Sequence, residues 1–154
     1  MKNTIAALML LPLAALAAEK KIAEKEVPKV VLDAVKAKHP SAKLVAFERE
    51  DNKGKTVFEV GIDESGARTD IDVSPEGKLL VEESDIKVAD VPAAVMKAFE
   101  ADKKHAGWKA VHAEKVVDLA HPDAPRYELA VENGKKKAEV LFERDGAAVK
   151  PEAE

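Results

Sequence analysis

Residues 27–42 read VPKVVLDAVKAKHPSA, and residues 91–99 read VPAAVMKAF. Val27-Pro28 and Val91-Pro92 lie 64 residues apart, and Val31, Ala34 and Val35 meet Val95, Ala98 and Phe99 at the same offset. In each copy a proline opens the stretch and apolar residues recur at helical spacing, which predicts helices over 28–38 and from 90 to about 104. His39-Pro40 stops the first, and Lys36 and Lys38 suit its C-terminal dipole. Phe58-Glu59-Val60 then matches Tyr127-Glu128-Leu129 at an offset of 69, as do Ile71, Val73 and Gly77 with Val140, Phe142 and Gly146. The longer second copy is explained by Gly107-Trp108 and by the loop from Asp118 to Arg126.

Between the helices the pattern changes to period two. Residues 44–50, 56–62, 69–73 and 78–82 read as strands, separated by turns at Asp51-Asn52-Lys53-Gly54, Asp63-Glu64-Ser65-Gly66 and Ser74-Pro75-Glu76-Gly77. The second copy offers strands at 109–117, 126–131, 137–142 and 147–150, with Asn133-Gly134 and Asp145-Gly146 as turn signals. The expected class is α+β. Two tandem units, 27–86 and 91–150, each place a helix on a four-stranded antiparallel sheet, with both helices on one face of a continuous sheet. Units of about 60 residues are marginal alone, so a shared core or sheet is expected.

The flanks read differently. Lys2, the apolar run Ile5–Leu16 and Ala15-Leu16-Ala17 form a secretory signal pattern over residues 1–17. Residues 18–26 read as a mobile charged linker and 151–154 as a polar tail. A periplasmic or secreted protein follows, with no membrane insertion once the leader is removed. Of the 154 residues 46% are hydrophobic, and none is cysteine. Disulfide scaffolds, thiolate metal sites and cysteine nucleophiles are thereby excluded. With 25 Lys+Arg against 29 Asp+Glu and a net charge of −4, there is no basic footprint for nucleic acid.

Taken together, Val27–Ala42, Lys55–Val60, Asp72–Leu80, and their counterparts Val91–Phe99, Tyr127–Leu129 and Phe142–Gly146 resemble PepSY-type modules. The tandem is similar to PepSY-like proteins related to β-lactamase inhibitor proteins. The resemblance implies a secreted, non-enzymatic protein that binds or inhibits another exported protein. True β-lactamase inhibitors carry disulfides and an aromatic-rich sheet face. This chain has no cysteine and only one Trp, one Tyr and four Phe, so β-lactamase is not the expected target.

Candidate functional residues are few. No serine sits in a nucleophile elbow, and no His-Glu-x-x-His spacing occurs. Catalytic residues and cofactors are not expected. Trp108 at the helix-to-strand junction and Asp118, His121, Asp123 and Arg126 in the long loop are candidates for partner binding. Asp70 and Asp72 share a strand face, as do Glu48 and Glu50. A metal site assembled from His105, His112 and His121 is the weaker alternative, and would make the chain a small-ligand or metal sensor. The leading expectation is a binding module that engages an exported protein or peptide through an open sheet face.

Overall fold

The computed structural model describes residues 20–52 and 55–149. The expected leader, the polar tail and part of the first hairpin turn lie outside them. The elements run β1 (Lys20–Lys21), α1 (Lys29–Lys38), β2 (Lys43–Asn52), β3 (Lys55–Glu64), β4 (Ala67–Val73), β5 (Leu79–Ile86), α2 (Ala93–Ala101), β6 (Lys109–Asp118), β7 (Arg126–Asn133) and β8 (Lys136–Glu143). All the strands form one antiparallel sheet in sequence order, β1 through β8. Among the described residues no helix is long and apolar enough to cross a membrane.

Each helix buries a narrow stripe. Val31 and Val35 of α1 join Val27, Phe58, Val60, Ile62, Ile71 and Val73 in one cluster. Val95 and Phe99 of α2 join Val91, Ala113, Tyr127, Leu129, Val131 and Phe142 in a second. The clusters are separate. Between them the strands carry polar groups: Thr69 and Ser84 share a hydrogen bond of 3.1 Å. Glu82 takes Lys38 and His39 at 3.0 Å each. The shared core is therefore replaced by a shared sheet. The halves join through the β5–β6 ladder, in register from Val81↔Asp118 to Ile86↔Ala113.

Several boundaries differ from the sequence reading: β2, β3 and β5 extend past the expected 44–50, 56–62 and 78–82, and three further differences have a local reason. The expected linker is partly structured: Lys20 and Lys21 pair with Arg49 and Glu48 as β1, and the Ile22 amide donates to the Phe47 carbonyl at 3.0 Å. Helix α2 stops at Ala101 rather than near Lys104. Asp102 leaves the helical region (φ −71°, ψ 107°), and its carboxylate caps a short 3₁₀ turn by accepting from the Lys104 amide at 2.9 Å. Of the strand expected at 147–150, the described residues 147–149 form an isolated bridge, Phe142↔Ala148. The Asp145 carboxylate accepts from the Ala147 amide at 2.9 Å and holds that segment in its turn.

One device recurs in both halves. Gly77 (φ +85°) and Gly146 (φ +90°) end equivalent turns, their amides donating to Ser74 and Glu143 carbonyls at 2.9 Å each. Each glycine lies against a helix. A Cβ on Gly77 would stand 2.9 Å from the Val30 carbonyl oxygen, and one on Gly146 2.7 Å from that of Ala94. Backbone carbonyls in a helix cannot step aside, so the missing Cβ sets how closely the turn seats. At Gly66 (φ +86°) a Cβ would meet nothing within 4 Å. Gly77→Ala and Gly146→Ala should each cost about 2 kcal/mol or more in urea unfolding, and Gly66→Ala only about 1 kcal/mol. Equal losses at all three would contradict the docking role.

Candidate functional site

Residues directly opposite in an antiparallel pair point to the same side of the sheet. The register therefore assembles rows that no single strand reveals. Glu48 opposes Glu59, and Glu59 opposes Asp72. Asp70 opposes Glu83, which opposes Val116, which opposes Arg126. Asp85 opposes Glu114, which opposes Glu128. These rows lie on one face, and each outer row sets three carboxylates side by side across three neighbouring strands. Val81 and Val116, each about 1% exposed, form a dry floor within it.

Basic groups offset part of this charge. Arg68 clamps Asp70 with two hydrogen bonds, Nε to Oδ2 at 2.9 Å and Nη2 to Oδ1 at 2.8 Å. Arg126 Nε donates to Glu143 at 3.2 Å, and Lys21 lies 4.0 Å from Glu48. Glu83 feels this density of carboxylates most strongly. Burial, then Asp72, Glu128, Glu114 and Glu59, push its carboxyl up to about 9. Burial, then Glu139 and Glu114, lift Glu128 to about 7, with His112 acting the other way.

The candidate residues scatter over this frame. Asp70 and Asp72 stand on the carboxylate face, and Glu59 links Asp72 to Glu48, whereas Asp70 opposes Gly61. Asp118 and Arg126 border the same face through Val81 and Val116. The Asp118 carboxylate is turned into its own loop, accepting from the Ala120 amide at 2.8 Å and lying 3.1 Å from His121 Nδ1. Burial opposes its ionisation, but the Ala120 amide, His121 and Arg126 outweigh it and hold the carboxyl below its ordinary range. Asp123 is exposed in the loop. Trp108 is elsewhere: it packs against the second core, edge-on to the His105 ring at 5.1 Å.

The three histidines proposed as a metal set are not gathered into one ligand group among the described residues; each lies against acidic partners of its own. His105 Nδ1 is 2.7 Å from Asp102, His121 Nδ1 is 3.1 Å from Asp118, and His112 Nε2 is 3.2 Å from both Asp85 and Glu114. The His105 hydrogen bond, then the Lys104 amide, hold the Asp102 carboxyl below its ordinary range. Single-strand reading missed Glu59, Glu83, Asp85, Glu114 and Glu128. Alternation marks Glu83 and Asp85 as sharing a face, but only cross-strand register shows what stands opposite them.

The duplicated architecture has known relatives. The family described as "Putative beta-lactamase-inhibitor-like, PepSY-like" matches residues 16–81 and again 78–150, and the chain belongs to it. Solved structures share the fold. One titled among "putative periplasmic proteins", from Bacteroides eggerthii, is 20% identical, with a TM-score of 0.66 over 80% of this chain and 86% of that one. A DUF2874 family protein from Bacteroides uniformis gives the same identity, score and coverage. A BLIP-like protein from Bacteroides fragilis is 19% identical, with a TM-score of 0.59 over 80% of this chain and 84% of that one. No curated protein matches the chain.

The raised carboxyls make the stability of this face depend on pH. Folded Glu83 and Glu128 keep protons that the unfolded chain releases above its ordinary carboxyl pKa of 4.5. Their stabilising contribution is full below that pKa. It falls as pH rises, through about 7 for Glu128 and about 9 for Glu83. Each group adds a slope of at most about 1.4 kcal/mol per pH unit. Unfolding free energies across this range should decline with pH, and Glu83→Gln should flatten the decline and stabilise the alkaline end. An unchanged slope in Glu83→Gln would contradict the assignment.

Proposed function

We propose that the chain is a non-catalytic periplasmic binding module that docks a basic segment of an exported protein on its carboxylate face. The observation that carries this reading is the register of acidic residues across adjacent strands. The rows concentrate negative charge on one face, which fits a partner that brings complementary positive charge. The register also supports a common side for both helices. Ile71 of the first core opposes Glu82, and Glu82 opposes Val117. On that same side Ile86 opposes Ala113, and Ala113 opposes Leu129 of the second core. The face carrying Glu59, Asp72, Glu83 and Glu114 then looks away from both helices.

The charge pattern sets the partner's chemistry. A lysine- or arginine-bearing segment would pair with the outer rows and let Glu83 ionise beside it. The family description and the periplasmic and BLIP-like neighbours support an exported, inhibitor-like binder rather than an enzyme. Occupying the surface of another exported protein is the form such inhibition would take.

Affinity capture from periplasmic extract tests this, comparing the wild type with Glu59→Lys/Asp72→Lys and with a helix control, Glu100→Lys. A basic protein should be enriched by the wild type and by the helix control. It should be lost with the double variant and at high salt, where exposed charges are screened. Failure to enrich any protein, or enrichment that survives the double variant, would count against the proposal.

A further inference from the structure

We propose that Asp85, His112 and Glu114 form a binding site for a divalent transition ion of the zinc class, with water completing the coordination. The three residues come from the β5–β6 seam. His112 and Glu114 are alternate residues of β6, and Asp85 is the direct cross-strand partner of Glu114. His112 Nε2 stands 3.2 Å from Asp85 Oδ1 and 3.2 Å from Glu114 Oε1. All three ligand atoms lie within 4.8 Å of one another. Bonds of about 2.0–2.2 Å to a tetrahedral ion hold ligand atoms roughly 3.3–3.6 Å apart. Two of the three edges already have that length within about 0.4 Å, and the third is no longer than 4.8 Å. One imidazole with two carboxylates suits Zn²⁺, Cu²⁺ or Ni²⁺; Ca²⁺ and Mg²⁺ prefer oxygen donors throughout.

The first half of the chain provides an internal comparison. Both β2 and β6 carry an irregularity near their start, between Leu44 and Ala46 and between Ala110 and His112. The extra residues, Val45 and Val111, are similarly exposed, at 52% and 51%. Aligning the bulges places Ala46 at the position of His112, and Glu48 at that of Glu114. The strand before each then differs in sign: Lys21 opposes Glu48, whereas Asp85 opposes Glu114. The first half therefore closes with an ordinary ion pair. The second replaces the lysine with a carboxylate and the alanine with a histidine.

Those two replacements belong together. Opposed carboxylates weaken a ladder, and Glu128 on the far side of Glu114 adds a third. Arg68 lies near enough to Asp85 to feel its charge, but its two guanidinium hydrogen bonds go to Asp70. A bulge beside a site re-aims the side chain that follows it, and here that side chain is the imidazole. A bound divalent ion supplies the charge that Lys21 supplies in the first half. The site shares Asp85 and Glu114 with one outer row of the docking face but not Glu59 or Asp72, and it requires no protein partner.

Calorimetric titration of the purified chain with ZnCl₂, and separately NiCl₂, tests it in a non-chelating buffer near neutral pH. His112→Ala recreates the residue of the first half, and Asp85→Asn keeps the side-chain shape. His121→Ala is the control. Single-site binding should weaken by about tenfold or more in the first two variants and stay unchanged in the control. Circular dichroism should show all of them folded. If His112→Ala fails to fold, Asp85→Asn decides alone. Absence of binding up to millimolar ion, or affinity retained in His112→Ala or, when that variant fails to fold, in Asp85→Asn, would overturn the proposal. So would equal affinity for Ca²⁺.

Discussion

The backbone ladder between β5 and β6 is the constraint on which the molecule depends. Each half buries a small apolar cluster beneath one short helix, built from valines and few aromatics. Units of about 60 residues bury too little surface to be secure alone. The halves nevertheless do not pool their cores, because Thr69, Ser84 and Glu82 occupy the strands between the clusters. Strand pairing from Val81 to Ile86 carries the connection instead. It is supplemented by the Leu119 amide, which donates to the Leu80 carbonyl at 2.9 Å. The same ladder makes two small surfaces into one.

That larger surface is expensive in electrostatic terms. Glu83 sits between Asp70 and Val116, with Val81 also on its side of the sheet, and keeps its proton far above the normal range for a carboxyl. A protein selected for stability alone would place lysine or threonine there, as Lys21 is placed against Glu48. Stability lost at one face and retained elsewhere is a common signature of sites that serve binding. The docked glycines, the helix stripes and the polar seam all belong to the part of the molecule that holds this face in place.

Much of the architecture was legible in the sequence because its signals are local. Pro28 and Pro92 mark helix starts, Gly77 and Gly146 mark turns, and alternation at Phe58-Val60-Ile62 marks a strand with one buried side. The missed features depend on distant partners. Lys20 and Lys21 look like linker until Arg49 and Glu48 are available to pair with them. The bulges at Val45 and Val111 leave no local signature, and the Asp102 cap looks like the continuation of a helix. The site was harder still. Asp70 and Asp72 were visible as a pair on one strand, but Glu59 and Glu83 acquire meaning only through register. The histidines drew attention as a group, whereas the fold does not gather them into one ligand group among the described residues and sets each against acidic partners of its own.

Native-state hydrogen exchange on the amides of β5 and β6 tests most directly whether this ladder unites the halves. Amides that bond across Val81–Ile86 and Ala113–Asp118 should exchange only through global unfolding. Their opening free energy should match that of the core amides at Val60 and Leu129. Exchange of one half at a clearly lower free energy, with the other half still protected, would contradict the account.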